Sequence, residues 1–498
     1  MQTYVNPISG GKDPYVMKGP DGHYYSVYSG GNRGCSIYVS ESLKISEPGV
    51  SHLVWTAADG RWNSGTVWAP EIHYLQGKYY IYYTSAVMDY DIEGWATRRL
   101  GVLEAENPLG PYVDRGRLEL GEEMSIDGTV LQMPDGRLYF VYMRNLMYRD
   151  RMNCLCIAQM ESPTKIMGEP VMISHPCFPW EEFVNEGPEA LIRNGKVMIL
   201  YSAHAAHTPE YCLAILECLD TKDPLREQAW KKQTSPVFKK GNGVIGPGHA
   251  SVTVSADGKV PYLIYHSKSN ESSVFHSPGV MDRVVSVQPF KWGENDLPVF
   301  GEPVGFGKPM PLPNGETEDM PGKRLDSVIR TDNDCLIAYG YKEYLNIVED
   351  TLYLEGKDKL DYGCKAMIRG FSWTDFSASV DMRMPSGEGA GLLLRVKNAG
   401  ARRFMLQGYA VLLSPRFGLE ILRLDGGEPV RLKYTPLGMI CGDWVTLKVT
   451  AEKNRITARV NETTVSVEDG EYMNGRIGLT ADGTLGWFKN MRVEASGK

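Results

Sequence analysis

Five runs in the first 268 residues alternate aromatic or apolar with polar positions, each behind a glycine-centred turn: DGHYYSVYS, QGKYYIYYTS, DGRLYFVYM, NGKVMILYS and DGKVPYLIYH. Alternation with a period of two is the pattern of a half-buried strand, and Asp-Gly or Asn-Gly ahead of it signals a hairpin. The turn glycines are Gly22, Gly77, Gly136, Gly195 and Gly258, spaced 55, 59, 59 and 63 residues apart. A near-constant period of this length marks a repeat architecture and suits four short strands per unit, one propeller blade each. Residues 1–306 are therefore expected to form a five-bladed β-propeller. No amphipathic helix of three turns stands out there, which argues against a doubly wound α/β fold.

From Gly307 to Arg324 the chain reads GKPMPLPNGETEDMPGKR, with four prolines, three glycines and no sustained period. Residues 307–324 are expected to be a linker or a surface-hugging connection. Beyond it alternation returns without the repeat spacing, in FSASVDMRM, GAGLLLRV, YAVLLSP, LEILRL, WVTLKVT, RITARV, TTVSVEDG and GRIGLTA. About eight such strands predict a two-sheet β-sandwich over residues 325–498, so the fold class is all-β throughout.

Counting nine residues back from the five glycines lands on Asp13, Trp68, Asp127, Glu186 and His249. Equivalent positions in a closed ring of repeats converge on one axis, so three acids, an indole and an imidazole are expected to meet there. Any one of these acids alone reads as a turn or solvated residue. Three at one offset in three repeats is not something turn chemistry requires. Acids crowded on an axis cannot all ionise freely, which raises the pKa of at least one and suits it to donate a proton near neutral pH. A neutral and an ionised carboxyl on opposite sides of a bond are what glycosidic cleavage needs.

Bulk properties narrow the partners. Net charge is −8 over 498 residues, and no Lys/Arg block interleaves with aromatics, so nucleic acid is not an expected ligand. The nine cysteines show no metal-ligand spacing and read as buried, reduced thiols. The start of the chain, MQTYVNPISGGKDP, lacks a basic stretch followed by an apolar one, and no 18-residue apolar run occurs anywhere. The expectation is a cytoplasmic protein without a membrane partner, although a trimmed secreted form would look the same. Oligomeric state is left open.

The stretches KDPYV, VWAPEIHYLQGKYYIYYTSA, SIDGTVLQMPDGRLYFVY, NEGPEALIRNGKVMILYSA and GPGHASVTVSADGKVPYLIYHS resemble those of glycoside hydrolase family 43, whose members are five-bladed propellers cleaving arabinofuranosyl and xylosyl linkages. The resemblance implies Asp13 as general base, Asp127 as the residue that tunes pKa and orients the acid, and Glu186 as general acid. It further implies inversion of configuration. The activity it implies is release of terminal α-L-arabinofuranose from arabinose-containing oligosaccharides of plant cell-wall origin. A β-D-xylosidase or galactofuranosidase of the same family is the alternative, and a non-catalytic sugar-binding propeller is the alternative of another class.

Trp68 reads as an apolar wall for a sugar ring or as a blade-interface residue, and Glu71 and His73 as parts of the blade. Arg283 falls where the family has an arginine near the substrate, with a surface ion pair as the plainer reading; where several relatives carry a second arginine, this chain has Ser286. His249 matches a histidine that in the family often contacts calcium held mostly by water, so a structural calcium is expected there while no cofactor is needed for the chemistry. The second module resembles concanavalin- or laminin-G-like domains, with Trp373, Tyr409 and Trp487 as candidate sugar platforms or, more simply, core residues.

Overall fold

A computed structural model describes residues 3–29, 35–87, 96–146, 152–268, 283–316, 324–325, 328–329, 336–339, 345–356, 365–368, 372–385, 389–398, 406–414, 418–426, 429–438 and 442–496. Five four-stranded antiparallel sheets form the first part of the chain. The first blade comprises Tyr15–Lys18, Tyr24–Val27, Ser36–Ser42 and Val50–Thr56, and the second Trp68–Leu75, Lys78–Ser85, Arg99–Ala105 and Val113–Arg117. The third comprises Ser125–Gln132, Leu138–Asn145, Asn153–Ser162 and Lys165–Ser174, and the fourth Asn185–Arg193, Lys196–Ala203, Cys212–Cys218 and Trp230–Lys232. The fifth combines Ile245–Val254, Pro261–Lys268 and Val284–Pro289 with Ser9–Gly10 from the start of the chain. Borrowing that outer strand ties the two ends of the propeller together. The innermost strands touch in cyclic order, and Ile245–Val254 returns to Tyr15–Lys18, which closes the ring.

Each pair of neighbouring blades shares its own apolar layer, because the alternating strands turn one face to each neighbour. Val27, Val39, Ile72, Ile81 and Leu103 fill the first junction, and Tyr82, Val102, Phe140 and Ala158 the second. Val141, Ile157, Ile199 and Ala214 pack between blades three and four, and Leu200, Ile215, Leu263 and Tyr265 between four and five. Val16, Tyr24, Ile264 and Val285 seal blade five to blade one. Each fully buried side chain of this size contributes about 1.5–3 kcal/mol.

Met310–Pro311 pairs with Thr3–Tyr4, and Met310 joins the layer between blades five and one. Glu316 accepts the Ile45 N–H at 2.7 Å and the Ser46 hydroxyl at 2.5 Å. Residues 317–323 lie outside the described residues.

A seven-stranded and an eight-stranded sheet pack face to face over one core that includes Leu352, Phe376, Val380, Leu392, Val411, Leu447 and Phe488. All eight expected strands are present. Sequence reading missed seven others: the short strands Arg324–Leu325, Leu336–Tyr339, Thr351–Glu355 and Lys365–Ile368, Leu345–Val348 and Val430–Thr435, whose patterns are largely exposed, and Leu485–Ala495, which is interrupted by a register shift. Trp373 and Tyr409 are buried and so are not platforms. Trp487 lies between Tyr353, 5.9 Å away, and the Arg383 guanidinium, 4.5 Å from its ring. Among the described residues no helix is long and apolar enough to cross a membrane.

Candidate active site

Each blade has a left-handed residue near its start: Asp13 (φ 50°), Ala69 (φ 39°), Asp127 (φ 53°), Gly187 (φ 52°) and His249 (φ 42°), with Gly246 (φ 52°) as a second in blade five. In blades two to five the inner strand shifts register at this point, a bulge that re-aims the side chains around it. Each of the five N–H groups donates to a side chain of the preceding blade. Ala69 donates to Ser29 Oγ at 2.8 Å, Asp127 to Thr84 Oγ1 at 3.1 Å and His249 to Ser202 Oγ at 2.7 Å. Asp13 donates to His266 Nδ1 at 3.0 Å, and Gly187 to Asp127 Oδ2 at 3.1 Å. A belt of side-chain acceptors therefore runs around the ring and satisfies donors that the bulges take out of the ladders.

The belt corrects the equivalence drawn from the nine-residue count. Three counted residues are the left-handed ones, whereas Trp68 and Glu186 stand one position earlier than theirs. Turn chemistry is the reason. Gln76-Gly77 and Asn194-Gly195 have positive φ at both residues and close two-residue hairpins, with Leu75 opposite Lys78 and Arg193 opposite Lys196. The Asp-Gly turns close longer loops, Lys18 to Tyr24 and Gln132 to Leu138, and the register moves by one.

Asp13 is the most tightly held acid. Its Oδ2 accepts the Ser29 hydroxyl, and its Oδ1 lies 3.1 Å from Arg283 Nη1, 3.3 Å from His266 Nδ1 and 3.4 Å from His249 Nδ1. His266 Nδ1 also accepts the Asp13 N–H. Burial alone would lift the Asp13 carboxyl, but His249, His266 and Arg283 outweigh it and hold it well below the usual carboxylate range. Burial also lowers both imidazoles. Arg283, the guanidinium paired with this carboxylate, is buried and not at the surface.

Asp127 and Glu186 sit in the opposite regime. Burial, with Glu186 and Asp13 close by, raises Asp127 well above its ordinary value. Burial pushes Glu186 up to about 7, against the pull of a hydrogen bond from Tyr211, whose hydroxyl donates to Oε1 at 2.9 Å. Glu186 is half-buried, while Asp127 is buried. The three acids, His249 and Arg283 thus come together: one carboxylate pinned ionised, one carboxyl able to hold a proton near neutral pH, and a third bonded to the backbone beside it.

Trp68 is half-buried beside Met124, Ile126 and Met143, and the Arg98 guanidinium lies over its ring at 3.2 Å from the centroid. Glu71 and His73 pair at 2.9 Å within the blade, as expected of structural residues. His249 Nδ1 faces the Asp13 and Asp127 carboxylates at 3.4 and 3.9 Å. Among the described residues no group of three or more His, Cys, Asp or Glu side chains is arranged to hold a metal. Calcium takes six to eight oxygen ligands, so a calcium beside His249 would be held mostly by water, with the Asp13 and Asp127 carboxyls as the nearest protein oxygens.

Ser29, Thr84 and Ser202 went unnoticed in the sequence, though the count that found the acids finds them too. Each stands seven residues after its turn glycine. In blade three that position is Met143, which has no hydroxyl, and Asp127 supplies the missing acceptor. Tyr211 and His266 carry no such periodic signal.

A family model, glycosyl hydrolases family 43, matches residues 4–298, and a 3-keto-alpha-glucoside-1,2-lyase-like domain matches residues 334–494. An extracellular exo-α-(1→5)-L-arabinofuranosidase of Streptomyces avermitilis is 32% identical over 316 residues, 61% of this chain and 64% of that relative's length. One from Streptomyces chartreusis with the same description is 29% identical over 283 residues, 54% of this chain and 84% of the relative. The crystal structure of an α-L-arabinofuranosidase from Lactobacillus brevis superposes with a TM-score of 0.56 at 30% identity, covering 61% of this chain and 98% of that one. Both Streptomyces relatives are described as extracellular, which overturns the expectation of a cytoplasmic protein.

Proposed function

Since the chain belongs to glycosyl hydrolases family 43, we propose that it is an exo-acting α-L-arabinofuranosidase that releases terminal arabinofuranose from arabinose-containing oligosaccharides with inversion. The observation that carries this reading is the contrast between neighbouring acids: Asp13 is ion-paired to Arg283 and held ionised, and Glu186 is pushed up to about 7 by burial. In the proposed reaction the Glu186 carboxyl gives its proton to the glycosidic oxygen as the bond to the anomeric carbon breaks. A water attacks the opposite face of the sugar and loses a proton to the Asp13 carboxylate, which inversion requires. Asp127, through the Gly187 N–H, holds the backbone next to Glu186, while burial and the nearby Asp13 carboxylate keep the acid protonated. Trp68 and Arg283 are the residues proposed to border the sugar.

The choice of arabinofuranose over other sugars is supported by the names of the relatives at about 30% identity. A secreted enzyme is in keeping with the same names. The test is turnover of an α-(1→5)-arabino-oligosaccharide by wild type, Asp13→Asn and Glu186→Gln. The expected result is arabinose release in wild type, lost by a factor of about 10²–10⁴ in each variant while folding is kept. Near-wild-type rates in either variant would reject its assigned role. A sugar-binding propeller without chemistry would instead show no turnover in wild type and only weakened binding in Glu186→Gln.

A further inference from the structure

Tyr211 stands just before the third strand of blade four and is fully buried, yet its hydroxyl reaches the half-exposed Glu186. Two features fix its ring. One face stacks on the His266 imidazole, with centroids 5.7 Å apart and planes 7° from parallel. The ring also fills the space beside Gly248, where an added Cβ would lie 2.2 Å from Tyr211 Cε1. The glycine ahead of His249 in GPGHAS is therefore there to admit this ring. His266 in turn accepts the Asp13 N–H, so a continuous chain of contacts runs from base to acid: Asp13, His266, Tyr211, Glu186.

We propose that Tyr211 is the positioning residue of the general acid, occupying Glu186 Oε1 so that the transferable proton is carried on Oε2 and faces the glycosidic oxygen. The proposal rests on Glu186 being the acid. A carboxyl with both oxygens free would rotate and share its proton between two directions. The clamped phenol removes that freedom at Oε1, alongside the Asn153 side chain, which also bonds this carboxyl. Burial, with Glu186 nearby, raises the Tyr211 phenol well above its ordinary value, so it stays a donor across the working pH range.

The test compares Tyr211→Phe, Gly248→Ala and Glu186→Gln on an α-(1→5)-arabino-oligosaccharide and on 4-nitrophenyl α-L-arabinofuranoside, whose leaving group needs little protonation. Tyr211→Phe keeps the stacked ring, so folding, followed by thermal unfolding, is expected to be preserved. On the oligosaccharide its kcat falls about tenfold or more at pH 5 with KM little changed, while the nitrophenyl rate stays within about threefold. The basic limb of its pH profile moves up, because a hydrogen bond favouring the ionised carboxylate is gone. Gly248→Ala, which pushes the ring aside, shows the same discrimination between leaving groups. Wild-type rates and pH profile in Tyr211→Phe, or equal losses on both substrates, would overturn the proposal alone provided Glu186→Gln still discriminates. Equal losses in Glu186→Gln would remove the acid assignment and the proposal with it.

Discussion

Arg283 Nη1 lies 3.1 Å from Asp13 Oδ1, a buried ion pair at the centre of the propeller formed by residues 270 positions apart in the chain. Around Asp13, His249, the His266 imidazole and the Arg283 guanidinium together offset the desolvation of the carboxylate and keep the base charged.

Arg283→Gln is accordingly expected to raise the Asp13 pKa. Because the base must be ionised, the acidic limb of kcat/KM moves up, and the rate falls most below neutral pH. A pH–rate profile measured against wild type checks this; an unshifted acidic limb would remove Arg283 from the electrostatic role.

Glu186→Gln is expected to stabilise the fold as it removes activity. An acid whose folded pKa, about 7, exceeds its ordinary value of 4.5 keeps its full stability below about pH 4.5 and loses it as pH rises toward 7. Gln does not titrate. The difference in Tm between variant and wild type should therefore grow from pH 4.5 to 7, and thermal unfolding at several pH values in that window measures it.

Gly187→Ala tests the belt at the acid. Its φ is 52°, and an added Cβ would come within 3.0 Å of His249 Nδ1. Left-handed backbone costs a non-glycine residue about 1–2 kcal/mol, and His249 must give way as well. The expected outcome is a loss of kcat on every substrate, whatever its leaving group, with a small drop in Tm.

Ser29→Ala removes two bonds at once, the one its hydroxyl donates to Asp13 and the one it accepts from Ala69. Thr84→Val removes only the acceptor for the Asp127 N–H. A buried donor left unpaired costs about 1–3 kcal/mol, so both variants lose stability. Only Ser29→Ala is expected to shift the acidic limb, upward, because only it loses a hydrogen bond to the ionised base.

The blades were legible because each repeats one device: a glycine with positive φ at a hairpin, followed by alternation. The acids were legible because the same glycine fixes their distance along the strand. The count slipped by one at Trp68 and Glu186 since turn length sets register, and Gln-Gly and Asn-Gly close tighter than the Asp-Gly loops. Tyr211 and Arg283 reach the site from residues just ahead of third strands, and His266 from a second strand one place beyond the periodic position, where no period marks them. Arg98 was missed because its place over Trp68 depends on packing between two strands of one blade. The edge strand Val430–Thr435 was missed because its exposed pattern lacks an apolar face.

The central claim is tested most directly by nitrophenol release from 4-nitrophenyl α-L-arabinofuranoside and 4-nitrophenyl β-D-xylopyranoside, assayed side by side in wild type and Asp13→Asn. Turnover of the arabinofuranoside well above the xyloside, abolished in Asp13→Asn, is the predicted result. Preference for the xyloside, or arabinofuranoside turnover that survives the loss of the Asp13 carboxylate, would contradict it.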